Sequence, residues 1–132
     1  MAAQDADAFT VVGQATIPSG PQAAFAGRTA MTSWLDGRAS AAVRADARLL
    51  TSELISNSVR HSGMPTGTPL HITAAVLDGT VRVAVTDHGA AGALRRRKPG
   101  AAGGYGLHLV HLMAARWGVE SDHGTQVWFV LA

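Results

Sequence analysis

Glu53, Asn57 and His61 follow one another at i,i+4 steps within Leu49-Leu50-Thr51-Ser52-Glu53-Leu54-Ile55-Ser56-Asn57-Ser58-Val59-Arg60-His61-Ser62. At ~100° per residue, Asn57 lies ~40° around a helix axis from Glu53, and His61 ~80°. An acid, an amide and an imidazole therefore share one side of a helix. Leu50, Leu54, Ile55 and Val59 take up much of the remaining circumference, and a helix apolar on nearly all sides is normally buried. A carboxylate on such a helix needs a partner, because an unpaired buried charge is costly. A ligand or a metal ion would supply one.

Three further groups could join that chemistry. Asp87 ends the apolar run Val81-Arg82-Val83-Ala84-Val85-Thr86, so its carboxylate is expected to emerge at a sheet edge. The plain alternative is a turn-forming aspartate before Gly89. Gly103, Gly104 and Gly106 surround the start of an apolar segment at Tyr105. Such glycines let backbone amides approach a ligand, and a helix N-terminus attracts phosphate; a tight turn uses glycine equally well. Gly124-Thr125 precedes the last apolar run. A P-loop is excluded, since it needs lysine followed by serine or threonine and the only lysine, Lys98, precedes Pro99. A dinucleotide fingerprint is excluded because its glycines directly follow a strand, whereas these follow a basic loop. His108 and His111 lie three apart, but no third ligand is assembled, so a polar-face or partly packed role is expected. Trp34, Trp117 and Trp128 are expected in the core or at an interface.

These groups need elements to hold them. Phe9 to Ile17 is predicted as an edge strand. Pro18-Ser19-Gly20-Pro21 is a turn with proline placed to open a helix, and Gln22 to Leu35 is an amphipathic helix ending near Asp36-Gly37. A second helix runs from about Ser40 to His61, with Gly63 stopping it. Leu70 to Leu77 and Thr80 to Thr86 form strands joined at Asp78-Gly79, a strong hairpin signal. Asp87 to Gly104 has no sustained period, and loops of that length in small domains are usually functional. Tyr105 to Trp117 reads as a third helix, with Leu107, Val110, Ala114 and Trp117 on one stripe. Val119 to Asp122 and Thr125 to Leu131 close the chain as a hairpin around His123-Gly124. Hairpins dominate, so the fold class is α+β: a two-layer sandwich with a mixed, mainly antiparallel sheet and helices on one face.

Composition sets the outer limits. The 132 residues suit one domain spanning 1–132, with 1–8 frayed. Hydrophobic residues make up 47% and charged residues 15%, which argues for a packed core rather than disorder. The absence of cysteine excludes disulfides, thiolate metal sites and cysteine nucleophiles. No apolar run approaches the ~18 residues that cross a membrane, and the acidic, small N-terminus is unlike a signal peptide; a soluble cytoplasmic protein is expected. Net charge is +2, with much of the basicity in Arg95-Arg96-Arg97-Lys98, and aromatics are 5%. Direct nucleic-acid binding is therefore not expected. The basic run is read as a solvated loop, or as a contact to phosphate or an acidic partner.

Taken jointly, Glu53-x-x-x-Asn57, Asp87-x-Gly89, Gly104-x-Gly106-Leu107 and Gly124-Thr125 resemble the ATPase superfamily of gyrase, histidine kinases and heat-shock chaperones. More narrowly, Phe9 to Ala132 resembles the small anti-sigma-factor serine kinases. Glu53-Leu54-Ile55-Ser56-Asn57-Ser58-Val59-Arg60-His61-Ser62 is close to their asparagine box, and Gly124-Thr125-Gln126-Val127-Trp128-Phe129 to their ending. The resemblance implies a Bergerat-type ATP-binding fold with three helices on one face, and ATP with magnesium as cofactors. It implies that Asn57 holds magnesium, that Glu53 is the general base, and that Asp87 accepts the adenine amino proton. Thr125 would support Asp87 and the adenine. Gly104, Tyr105, Gly106 and Leu107 would present amides to the phosphates, with Gly89, Gly92 and Gly103 in the surrounding loop. His61 would touch phosphate or else cap the helix end, where a cation is favourable. Residues 88–103 would form an ATP lid, with Arg95 to Lys98 in it or beside it.

One departure stands out. The first glycine box of the family reads Asp-x-Gly-x-Gly, whereas this chain has Asp87-His88-Gly89-Ala90-Ala91, with glycine delayed to Gly92. Either Ala91 carries strain at a φ > 0 position or the loop has shifted by one. The function implied is phosphorylation of a serine or threonine on an antagonist protein, coupled to sequestration of a sigma factor. The alternative is a nucleotide-gated binding module without kinase activity. The family often dimerises, so a homodimer is expected.

Overall fold

The computed structural model describes residues 6–61, 64–88, 105–121 and 124–132. Along the chain these form β1 (Thr10–Pro18), α1 (Ala23–Leu35), α2 (Ala41–His61), β2 (Pro69–Leu77), β3 (Thr80–Asp87), α3 (Tyr105–Met113), β4 (Arg116–Ser121) and β5 (Thr125–Leu131). The strands make one sheet in the order β1-β2-β3-β5-β4, and every pairing is antiparallel. The predicted α+β sandwich is the one observed, and β1 is the edge strand the sequence implied.

Local chemistry explains several boundaries. The Ser40 hydroxyl accepts a hydrogen bond from the Val43 amide at 3.1 Å, so a serine caps α2 at its N-terminus. The β2–β3 turn has Asp78 at φ 50° and Gly79 at φ 81°, the doubly left-handed conformation that Asp-Gly sequences supply in two-residue hairpins. Ser40, Asp78 and Gly79 thus set the ends of the elements that carry Asn57 and Asp87.

Two expectations are corrected. The third helix stops at Met113 rather than Trp117. The Ala115 amide donates to the Val130 carbonyl at 2.8 Å, and from Arg116 onward the backbone pairs with β5, Trp117 opposite Phe129. The stripe that ended at Trp117 fitted a helix, but Gly118 is a poor helix former and the β5 ladder takes over the backbone hydrogen bonds. Asp87 is not at a sheet edge. It terminates β3, the central strand, and is buried.

The core lies between the helices and one face of the sheet. Met31, Leu35, Leu50, Leu54 and Ile55 from the helices meet Ile72, Val83, Val85, Val127 and Phe129 from the strands. The strands alternate, so the other face carries its own apolar cluster of Phe9, Ala75, Ala84, Trp128 and Val130. Arg82 lies over the Trp128 ring at 5.1 Å. Desolvation holds its guanidinium below the ordinary arginine range, while Glu120 opposes that shift and Arg116 adds to it. No helix among the described residues is long and apolar enough to cross a membrane.

Candidate functional site

Asn57 is 1% exposed on α2. Both its amide nitrogen and its amide oxygen lack a hydrogen-bond partner. A buried amide in that state costs about 1–3 kcal/mol, and such groups in native proteins call for an explanation. Glu53, one turn earlier, is only half-buried. The two residues therefore differ in burial: a half-buried acid and, one turn on, a buried amide.

Asp87 and Thr125 are brought together by the sheet. They are direct partners in the β3–β5 ladder, and both are buried. The Thr125 hydroxyl oxygen has no hydrogen-bond partner. Gly124 just before it has φ +135°, and a Cβ there would run into the Asp87 carbonyl oxygen. Glycine is required at this crossing on both counts, conformation and space.

A residue that sequence reasoning passed over connects the two halves. The Ser58 hydroxyl donates to Asp87 Oδ2 at 3.0 Å, and both residues are buried. Ser58 lies ~140° around the α2 axis from Glu53, between Leu54 at ~100° and Ile55 at ~200°. A hydroxyl inside a buried apolar stripe needs a partner, and that demand is the signal available in the sequence. The hydroxyl that reaches Asp87 is therefore Ser58's, from the residue next to Asn57.

The remaining expected residues are placed as follows. Leu107, in the first turn of α3, is half-buried and packs against the core. Tyr105 and Gly106 begin that helix, and His61 ends α2; their side chains lie outside the description. Gly89, Gly92, Gly103 and Gly104, the lid beyond His88, Ala91 and the basic run all lie outside the described residues. His88 is exposed and packs edge-on against His71, ring centroids 5.2 Å apart. His108 is exposed, and His111 accepts a hydrogen bond from the Trp117 indole at 3.3 Å.

Donor chemistry constrains what could bind. Among the described residues no group of three or more His, Cys, Asp or Glu could hold a metal ion. A site built only of protein ligands is thus not what these residues form. A magnesium ion that keeps water and phosphate oxygens and takes one or two protein ligands is a different case. The unpartnered Asn57 carbonyl suits it. A base edge with donors and acceptors would suit Asp87 and Thr125 together.

Comparison with known proteins bears on the family and the fold. No curated protein matches the chain. Thirteen chains of solved structures do. Among them is the crystal structure of the RsbU and RsbW domains of Rv1364c from Mycobacterium tuberculosis, at a TM-score of 0.69 and 21% identity. That match covers 90% of this chain and 32% of the other, so this chain spans about a third of that structure's length, and the likeness is one of fold. The histidine kinase-like ATPase domain matches residues 17–131, a stretch that runs from the end of β1 to the end of β5 and contains Glu53, Asn57, Ser58, Asp87 and Thr125. That match takes in four of the five strands and all three helices, and on it the chain belongs to the histidine kinase-like ATPase domain family.

Proposed function

We propose that this domain binds magnesium-ATP and acts as an anti-sigma-type protein serine/threonine kinase. It would phosphorylate an antagonist protein and, when the antagonist is not bound, sequester a sigma factor. Membership in an ATPase family implies ATP as the ligand. The observation that carries the reading is the Asn57 amide, buried with both polar atoms unpartnered one turn after a half-buried glutamate. The support for the partners is the resemblance of Glu53 to Ser62 and of Gly124 to Phe129 to the anti-sigma kinases.

The roles follow from the chemistry of each side chain. Asn57 would hold the magnesium through its amide oxygen. Magnesium, when bound, neutralises charge on the phosphates and helps to align them. Glu53 would accept the proton of the attacking serine or threonine hydroxyl, and its partial exposure is compatible with a protein substrate. Asp87 accepts from the adenine amino group, and the Thr125 hydroxyl can donate to or accept from the same base edge. Gly104, Tyr105, Gly106 and Leu107 would present backbone amides to the phosphates, as helix N-termini do, with Gly103 beside them. Phosphoryl transfer depends mainly on positioning and charge stabilisation, which a small domain can provide. The setting would be the cytoplasm, with a homodimer as the working assembly.

A second reading has one observation in its favour. If Ala91, rather than Gly92, takes the place of the second glycine in the family's first box, that departure suits a nucleotide-gated binding module that has lost turnover. Incubation with magnesium-ATP and a candidate antagonist separates the two. The kinase reading predicts a phosphoserine or phosphothreonine on the antagonist. It predicts further that Glu53→Gln binds ATP within about threefold of the unaltered protein but slows transfer roughly 10²–10⁴-fold. Nucleotide-dependent capture of the partner with no phosphate transferred would favour the module.

A further inference from the structure

Hydroxyls on helices usually satisfy themselves on the preceding turn. Among the described residues, Thr32 does so, donating to the Arg28 carbonyl at 3.0 Å, as does Ser52, donating to the Leu49 carbonyl at 3.0 Å. Ser58 behaves differently. Its hydroxyl crosses from α2 to the end of β3 and donates a hydrogen bond to Asp87 Oδ2 at 3.0 Å. Both partners are 1% exposed, so the bond is made away from water, where a hydrogen bond to a carboxylate is strong.

We propose that Ser58 is a positioning residue that aims the Asp87 carboxylate at the ligand's base and thereby sets its preference for adenine. This rests on the reading of Asp87 as the carboxylate that accepts from the adenine amino group. An ionised carboxylate offers about four lone-pair sites over two oxygens and donates nothing. The hydrogen bond from Ser58 restricts rotation of the group, and the several acceptor sites of a carboxylate can serve an amino group as well. Thr125 stands directly across the β3–β5 ladder with a buried hydroxyl, so a carboxylate of restricted rotation has a second polar group beside it. Sites built to hydrogen-bond a particular group reject analogues that lack it. Freer rotation of Asp87 would erode such discrimination without touching the phosphate end of the site.

The test compares ATP with the triphosphate of purine riboside, which has hydrogen in place of the amino group. Affinities are measured by calorimetry for the unaltered chain, Ser58→Ala, Asp87→Asn and the double variant. Ser58→Ala is expected to weaken ATP about tenfold and to leave the purine riboside triphosphate within about twofold. The double variant is expected to bind ATP no worse than Asp87→Asn alone, since the two residues act through one contact. An equal loss for both triphosphates in Ser58→Ala would overturn the proposal, because a purely structural serine would weaken them alike. Equal affinity of the unaltered chain for the two would instead overturn the adenine reading of Asp87, and this proposal with it. Should Ser58→Ala fail to fold, Ser58→Cys carries the same comparison, as its thiol nearly keeps the volume and is only a weak donor.

Discussion

At the residue scale the site is legible as a conflict between burial and bonding. Asn57 sits in the interior with its amide unpartnered, a state that lowers stability until something binds. Asn57→Leu, close in volume and without polar atoms, should raise the melting temperature of the nucleotide-free protein by an amount corresponding to about 1 kcal/mol. It should also abolish the upward shift that magnesium-ATP produces in the unaltered chain. Differential scanning calorimetry with and without ligand reads both, and a drop in apo stability would count against the unpartnered amide as a cost. Glu53 and Asn57 stood out from spacing alone, because polar residues four apart on an apolar helix need partners. Ser58 could not be assigned a partner that way. A single serine inside a stripe of Leu54 and Ile55 reads as a small core residue until Asp87, far along the chain, is seen to face it.

At the scale of elements, α2 is held by what it buries. Leu54 is fully buried in the main cluster between helices and sheet. Leu54→Ala should cost about 2–5 kcal/mol in urea unfolding and loosen the helix that carries Glu53, Asn57 and Ser58. Gly124 is the corresponding control point on the sheet. With φ +135° and the Asp87 carbonyl in the path of any Cβ, Gly124→Ala should both destabilise the fold and weaken nucleotide binding. Far-ultraviolet circular dichroism melts and ATP titration check this, and a variant of unchanged stability and affinity would contradict the close crossing. Most elements were readable because their determinants are local: the serine that caps α2, the Asp-Gly hairpin, the apolar alternation of β3. The end of α3 was not. Leu107, Val110, Ala114 and Trp117 satisfy a helical stripe, but β5 offers the chain a ladder from Arg116 onward, and no local sequence signal announces a distant strand.

At the scale of the whole molecule, the fold works by inserting β5 between β3 and β4. That order places Thr125 beside Asp87 at the end of the central strand, and α2 packs across it with Asn57 and Ser58. The α+β class was visible in the run of hairpins. The strand order was not, since it depends on which edge of β3 the last strand takes. The cluster of Ser58, Asp87 and Thr125 is thus a consequence of topology, assembled from one helix and two strands that are remote in sequence. Titration of magnesium-ATP into the intact chain and into Asn57→Ala tests this account most directly. The account predicts saturable binding to the unaltered protein and at least tenfold weaker binding to a variant that remains folded. Equal affinity in the two proteins would contradict it.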